Sequence, residues 1–139
     1  MISIIIPFYN EKESIPVLVN RLIDTLKIID EKWEIILVDD GSTDNSEFRI
    51  QNFELNKNIK LFNHQKRLGK GEALKTGIEN LTGETIVFMD ADLQDDPDDL
   101  LRFIGKIDDG YDFVNGIREK RNDNLIVKIY SKIVAWFLK

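Results

Sequence analysis

Apolar residues in this chain come in short β-branched bursts separated by stretches of helical spacing. Ile2-Ser3-Ile4-Ile5-Ile6 opens the chain and is stopped by Pro7, which predicts a buried strand. Over 13–29 the period changes: Ile15, Leu18, Leu22, Leu26 and Ile29 recur every three or four residues, predicting a helix with one apolar side. Glu34-Ile35-Ile36-Leu37-Val38 predicts a second strand, closed by Asp39-Asp40-Gly41-Ser42. Asp44 suits the cap of a short helix leading to Phe53, and 59–62 predicts a third strand. A helix follows over 69–81 with Ala73, Leu74, Ile78 and Leu81 apolar, then a buried strand over 84–89. Pro97 suits the first turn of a helix reaching about Ile107. A further strand is predicted over 111–114 and a final helix over 125–138.

Strands alternating with helices imply βαβ units, hence an α/β fold with a mostly parallel sheet. Interiors as apolar as residues 35–38 fit a sheet covered on both faces. The loops that follow successive strands then gather at one edge, and the polar signals lie in those loops: Asn10-Glu11, Asp39-Asp40, 67–71, 90–94 and 116–118. At 139 residues the chain is one domain with room for a core. Its 42% hydrophobic and 32% charged residues describe a globular protein, and a net charge of −6 argues against nucleic-acid binding. Without cysteine there is no disulfide, zinc-thiolate site or cysteine nucleophile, and the single histidine, His64, excludes a His-rich metal site. No signal segment opens the chain, and no stretch is long and apolar enough to span a membrane.

The candidate chemistry is acidic first. Asp90 and Asp92 follow the apolar run 86–89 two positions apart, and alternate residues of a strand point the same way. Beyond the carboxyl end of a parallel strand, where ligands bind, two such oxygen donors suit Mg²⁺ or Mn²⁺ bridged to a substrate phosphate. Asp39 and Asp40 can accept bonds from a base or ribose, although one is expected to close its own turn and leave the other for a ligand. Arg67-Leu68-Gly69-Lys70-Gly71 opens a helix whose N-terminus attracts anions, but it lacks the Walker A frame. Arg118, Arg121 and Lys128 are cations suited to phosphate, or else a solvated basic surface. His64 reads as an ordinary strand-end residue and Trp33 as packing beside the second strand. The last segment sets Lys128, Lys132 and Lys139 against a broad Ile, Val, Trp and Phe surface, a pattern that serves a membrane interface, packing on the domain or a dimer.

Together, Pro7-Phe8-Tyr9-Asn10-Glu11, Val38-Asp39-Asp40-Gly41-Ser42, Gly69-Lys70-Gly71 with Ala73, and Met89-Asp90-Ala91-Asp92-Leu93-Gln94-Asp95-Asp96-Pro97 resemble the family 2 glycosyltransferases of GT-A fold, a Rossmann-like parallel sheet flanked by helices. Within them the chain is similar to the polyprenyl-phosphate glycosyltransferases, the group of dolichol-phosphate mannose synthase, and Gly116, Arg118 and Arg121 match the next motif of that group. The resemblance implies metal-dependent, inverting transfer of a sugar from a GDP- or UDP-sugar to a polyprenyl (dolichyl or undecaprenyl) phosphate. It implies that Pro7, Tyr9, Glu11 and Asp39, with Asp40 and Lys70, bind the donor. Asp90, Asp92 and Gln94 would take the metal and diphosphate, and Arg118, Arg121 and Lys128 the acceptor phosphate. Asp92 and Arg118 would stand nearest the reacting groups. It further implies a single GT-A domain over 1–139, the N-terminal part of a longer protein, peripheral at the cytoplasmic membrane face. The remaining alternatives are a family 2 enzyme with a saccharide acceptor, a non-catalytic nucleotide-binding module, and a response-regulator receiver; Ile2–Ile6, preceding the acidic pair, speaks against the last.

Overall fold

In the computed structural model, which describes residues 1–46, 53 and 56–116, seven elements alternate. They are β1 (Ile2–Phe8), α1 (Ser14–Leu26), β2 (Trp33–Asp39), β3 (Ile59–Asn63), α2 (Lys70–Glu79), β4 (Thr85–Phe88) and α3 (Asp99–Asp108). The four strands pair in parallel in the order β3-β2-β1-β4, as the alternation of periods predicts.

Alternate side chains of the central strands feed two cores. Ile2, Ile4, Ile6 and Phe8, with Ile35 and Leu37, pack on Ile15, Leu18, Leu22 and Leu26 of α1 and on Leu100 and Ile104 of α3. Each wholly buried Ile or Leu there contributes about 1.5–3 kcal/mol relative to exposure. The opposite face is thinner: Ile5, Ile36 and Val38 meet Ala73 of α2.

β1 runs through Pro7 to Phe8 instead of stopping before the proline. Ile2 N–H donates to Lys32 O and Phe8 O accepts from Asp40 N–H, so even-numbered residues bond to β2. Ile5 O accepts from Met89 N–H, so odd-numbered residues turn toward β4. That pairing ends at Ile5–Phe88, and the N–H that Pro7 lacks has no ladder partner to miss.

Three further expectations are corrected. Among the described residues β4 is an edge strand, not a buried one: Val87 joins the large core, but Ile86 and Phe88 are 42% and 56% exposed because α2 packs over β1 and β2. On α2 it is Gly77 that is buried, against Ile5, while Ile78 is exposed. Residues 111–114 form no strand; Gly110 turns the chain at φ 96°, Tyr111 N–H closes on Lys106 O, and Tyr111 and Phe113 face solvent. Most of the helix expected between Asp44 and Phe53, and all of the helix expected over 125–138, lie outside the described residues.

At the far end of the strands from the polar loops, Glu34 gathers a buried polar cluster. Its oxygens accept Ser3 Oγ at 2.6 Å and Thr82 N–H at 2.6 Å and pair with Lys60 Nζ at 2.8 Å. Burial pushes this carboxyl up, but Lys60, Ser3 and Thr82 outweigh it and hold it at about 2.

Candidate active site

The carboxyl ends of β1 and β2 and the loop after β4 surround an open cavity of about 190 Å³, lined by Pro7, Tyr9, Glu11, Asp40, Arg67, Lys70, Asp90 and Asp92 among others. Its position is the one a parallel sheet favours, because here several strands deliver their loops to one place. The loops after β1 and β2 are stitched together first. Asn10, at φ 57°, donates its N–H to Ser42 Oγ at 2.9 Å and accepts Thr43 N–H at 2.8 Å. Asp44 accepts Lys12 N–H at 3.1 Å. Glu11 is bonded by the Ser14 hydroxyl.

The acidic pair after β2 turns inward. Asp39 Oδ1 accepts Ser42 N–H at 2.8 Å, closing its own turn as one member was expected to do. Asp39 is 4% exposed and is not part of the cavity lining. Asp40, the other member of the pair, lines the cavity but is bonded to the chain itself. It accepts Leu68 N–H and Gly69 N–H, each at 2.8 Å, and lies 2.9 Å from His64 Nδ1. Burial pushes its carboxyl up, and these three partners more than offset that, holding it below the usual range. The two amides just before α2, those of Leu68 and Gly69, therefore already have an anion in Asp40.

What the clamp does is place side chains. His64 Nε2 is 3.0 Å from Thr76 Oγ1, tying the end of β3 to α2. Gly41, at φ 75°, lets the 66–67 backbone approach so closely that a Cβ there would lie 2.5 Å from Lys66 C. Held this way, Arg67 lies over the Tyr9 ring at 4.2 Å, and Lys70 ion-pairs with Asp90 Oδ1. The sequence reading missed both Arg67 as a partner of Tyr9 and His64 as a bridge; the basic residue just before the glycines was the available signal for the first, and nothing local marked the second.

β4 ends at Phe88, so Asp90 and Asp92 share the cavity through a turn and not through strand alternation; Leu93 sits there at φ 61°. The acidic run divides its labour. Asp96 bonds Arg21 at 2.6 Å and Asp98 accepts Thr25 Oγ1 at 2.8 Å, fastening the loop to α1. Asp92 Oδ1 accepts Gln94 N–H at 3.0 Å, so the Gln94 backbone supports Asp92, and Gln94 does not line the cavity. Among the described residues no cluster of three or more His, Cys, Asp or Glu stands ready for a metal. Two carboxylates without a third fit a Mg²⁺- or Mn²⁺-like cation that completes its shell with water and substrate phosphate. Arg118, Arg121 and Lys128 lie outside the described residues.

The sequence profile described as glycosyl transferase family 2 matches residues 3–137. The chain belongs to that family. It is 36% identical over 135 residues to the undecaprenyl-phosphate 4-deoxy-4-formamido-L-arabinose transferase of Salmonella choleraesuis (strain SC-B67), covering 96% of this chain and 41% of that relative's length. Among solved structures it resembles the mannosyltransferase PcManGT from Pyrobaculum calidifontis, in complex with GDP-Man and Mn²⁺ (TM-score 0.56, 28% identity, 72% of this chain and 30% of the other). It also resembles glucosyl-3-phosphoglycerate synthase from Mycobacterium tuberculosis, in complex with Mn²⁺, UDP and phosphoglyceric acid (TM-score 0.62, 26% identity, 77% and 38%). The fold of this family 2 chain is GT-A, a mostly parallel sheet flanked by helices. The receiver alternative is thereby set aside.

Proposed function

We propose that this chain forms the donor-binding part of a metal-dependent, inverting glycosyltransferase that moves a sugar from a nucleotide-diphospho-sugar to a polyprenyl phosphate. The observation that carries the reading is the meeting of Tyr9 with Arg67, and of Lys70 with Asp90 and Asp92, in one cavity at the strand ends. The first pair offers a flat, cationic-capped ring to a base, and the second a cation and two carboxylates to a metal-bridged diphosphate. The acceptor class rests on the likeness to the Salmonella undecaprenyl-phosphate transferase. At about 190 Å³ the cavity is smaller than the roughly 300–1,000 Å³ usual for ligand sites, so the described residues supply one wall of the site.

Asp90 and Asp92 would hold the divalent cation, which when bound supplies a counter-charge for the departing nucleoside diphosphate. The chain's own tasks are orientation. The Asp40 clamp fixes Arg67 and Lys70 relative to the acid loop, and the Arg21–Asp96 and Thr25–Asp98 contacts fix that loop relative to α1. A phosphate acceptor is already anionic near neutral pH, so the reaction needs no strong base from the protein. Arg118, Arg121 and Lys128 are assigned to the acceptor phosphate, and the site works at the cytoplasmic membrane face. No helix among the described residues is long and apolar enough to cross a membrane, which agrees with a surface association.

Calorimetric titration of UDP and GDP, each with Mn²⁺ and with EDTA, tests the donor site. Binding that needs Mn²⁺ and is lost in Asp92→Asn is expected, and the preferred base narrows the sugar class. Nucleotide binding indifferent to EDTA and to Asp92→Asn overturns the reading.

A further inference from the structure

Building on the donor-site reading, we propose that Lys70 is the resident cation of Asp90 in the metal-free site. On this proposal it leaves for the donor diphosphate when a divalent cation takes Asp90, which couples metal and nucleotide binding. The starting state of this exchange is in the geometry. The Lys70 ammonium is ion-paired with Asp90 Oδ1, the oxygen-rich position a metal would need. Its backbone is fixed at the start of α2 by the bonds from Leu68 and Gly69 to Asp40, while its side chain remains 60% exposed and free to swing. Arg67, the other cation of the cavity lining, is committed to the Tyr9 ring, so it does not compensate the acid loop.

Electrostatics then sets the direction. Glu11, Asp90 and Asp92 line the same cavity, and without a nearby cation their charges repel. Lys70 relieves this in the metal-free protein. A divalent ion at Asp90 repels the ammonium, and a diphosphate bridged by that ion offers it a new anion on a flexible stem. An ion pair this exposed is weak, so it does not resist the exchange. Coupling is reciprocal: nucleotide that draws Lys70 away opens Asp90 to metal, and metal that expels Lys70 prepares it for phosphate. Lys70 is in this sense a positioning and coupling residue, not only one more phosphate ligand.

The test is Mn²⁺ titration followed by the electron paramagnetic resonance of free Mn²⁺, on the full 139-residue chain and on Lys70→Met and Lys70→Arg. Each is run without nucleotide and with saturating UDP or GDP. Lys70→Met is expected to bind Mn²⁺ about threefold tighter alone, because the competing cation is gone. With nucleotide it is expected to bind about tenfold weaker, because a charge-assisted contact to phosphate is lost. Lys70→Arg should keep the order of the unsubstituted protein in both conditions, and circular dichroism checks that all three are folded. A side chain with a merely structural role would shift both affinities in the same direction. Unchanged or weaker Mn²⁺ binding by Lys70→Met without nucleotide overturns the exchange while leaving the donor site standing. If the unsubstituted chain binds neither Mn²⁺ nor nucleotide, the donor-site reading falls, and the exchange with it.

Discussion

Two buried carboxylates at opposite ends of β2 illustrate how partner geometry decides a residue's work. Asp40 organises the cavity by holding Leu68, Gly69 and His64, whereas Glu34, at the opposite end of the strands, holds Lys60, Ser3 and Thr82 and has no part in the site. Glu34 is the cleaner object for a stability measurement because it is 3% exposed and remote from ligand. Its carboxyl is lowered from 4.5 to about 2, so it contributes stability that is fully present above about 4.5 and is lost as pH falls toward 2. At about 1.4 kcal/mol per pH unit, discounted for the part-exposed Lys60, the contribution is about 2 kcal/mol at neutral pH. Glu34→Gln is expected to lose about that much at pH 7 and to flatten the fall in stability between pH 4.5 and 2. Urea midpoints across that window check it; parallel curves for the two proteins would remove Glu34 from the acid sensitivity.

At the scale of elements, α2 packs tightly on β1 through Gly77. A Cβ added at Gly77 would overlap Ile5 Cγ2, and a β-branched side chain locked between β2 and β4 has little freedom to yield. Gly77→Ala gains about 1 kcal/mol of helix propensity, but overpacking costs about 1–3 kcal/mol, so the helix gain loses. The variant is expected to be about 1 kcal/mol less stable by thermal unfolding; a more stable variant would show that α2 shifts outward freely. This contact also marks what the chain declares in advance and what it does not. β1 and β2 are legible as short continuous β-branched runs bounded by turn signals, and α1 because its apolar positions recur every three or four residues and reach the core. The burial of Gly77 in place of Ile78 is not, because it depends on how far α2 rotates over the sheet. The same division runs through the site. Asp90, Asp92 and Glu11 are marked by residue type and by their place after a strand, Lys70 by the glycine-rich helix start and Tyr9 by the family resemblance, and the cavity gathers all of them. The shared direction of Asp90 and Asp92 was attributed to strand alternation, yet it comes from a turn after β4. The Asp40–His64 contact spans 24 residues and the Arg67–Tyr9 stack spans the two halves of the sheet; neither leaves a local pattern in the sequence.

For the molecule as a whole, the sheet is unevenly protected. On the α1 side it is thickly covered, while on the α2 side the helix sits over β1 and β2 and no described element covers β4. Ile86 and Phe88 therefore stand exposed beside an edge whose outer backbone groups have no strand partner among the described residues. An apolar edge of this kind templates pairing with another chain, and a net charge of −6 opposes association only in proportion to how little it is screened. Salt should then promote self-association of this chain, where a purely polar edge would be indifferent. The combined Ile86→Thr and Phe88→Thr variant places a β-branched residue at each site, so the strand itself is preserved. Because the replaced side chains face solvent, its folding stability is expected to stay within about 0.5 kcal/mol. Light scattering during heating at raised salt should show the unsubstituted chain associating first and the double variant remaining dispersed. A loss of several kcal/mol in the variant would instead mean that Ile86 and Phe88 are covered in solution. The patch would then be a buried interface of the folded molecule, and the salt dependence should vanish with it.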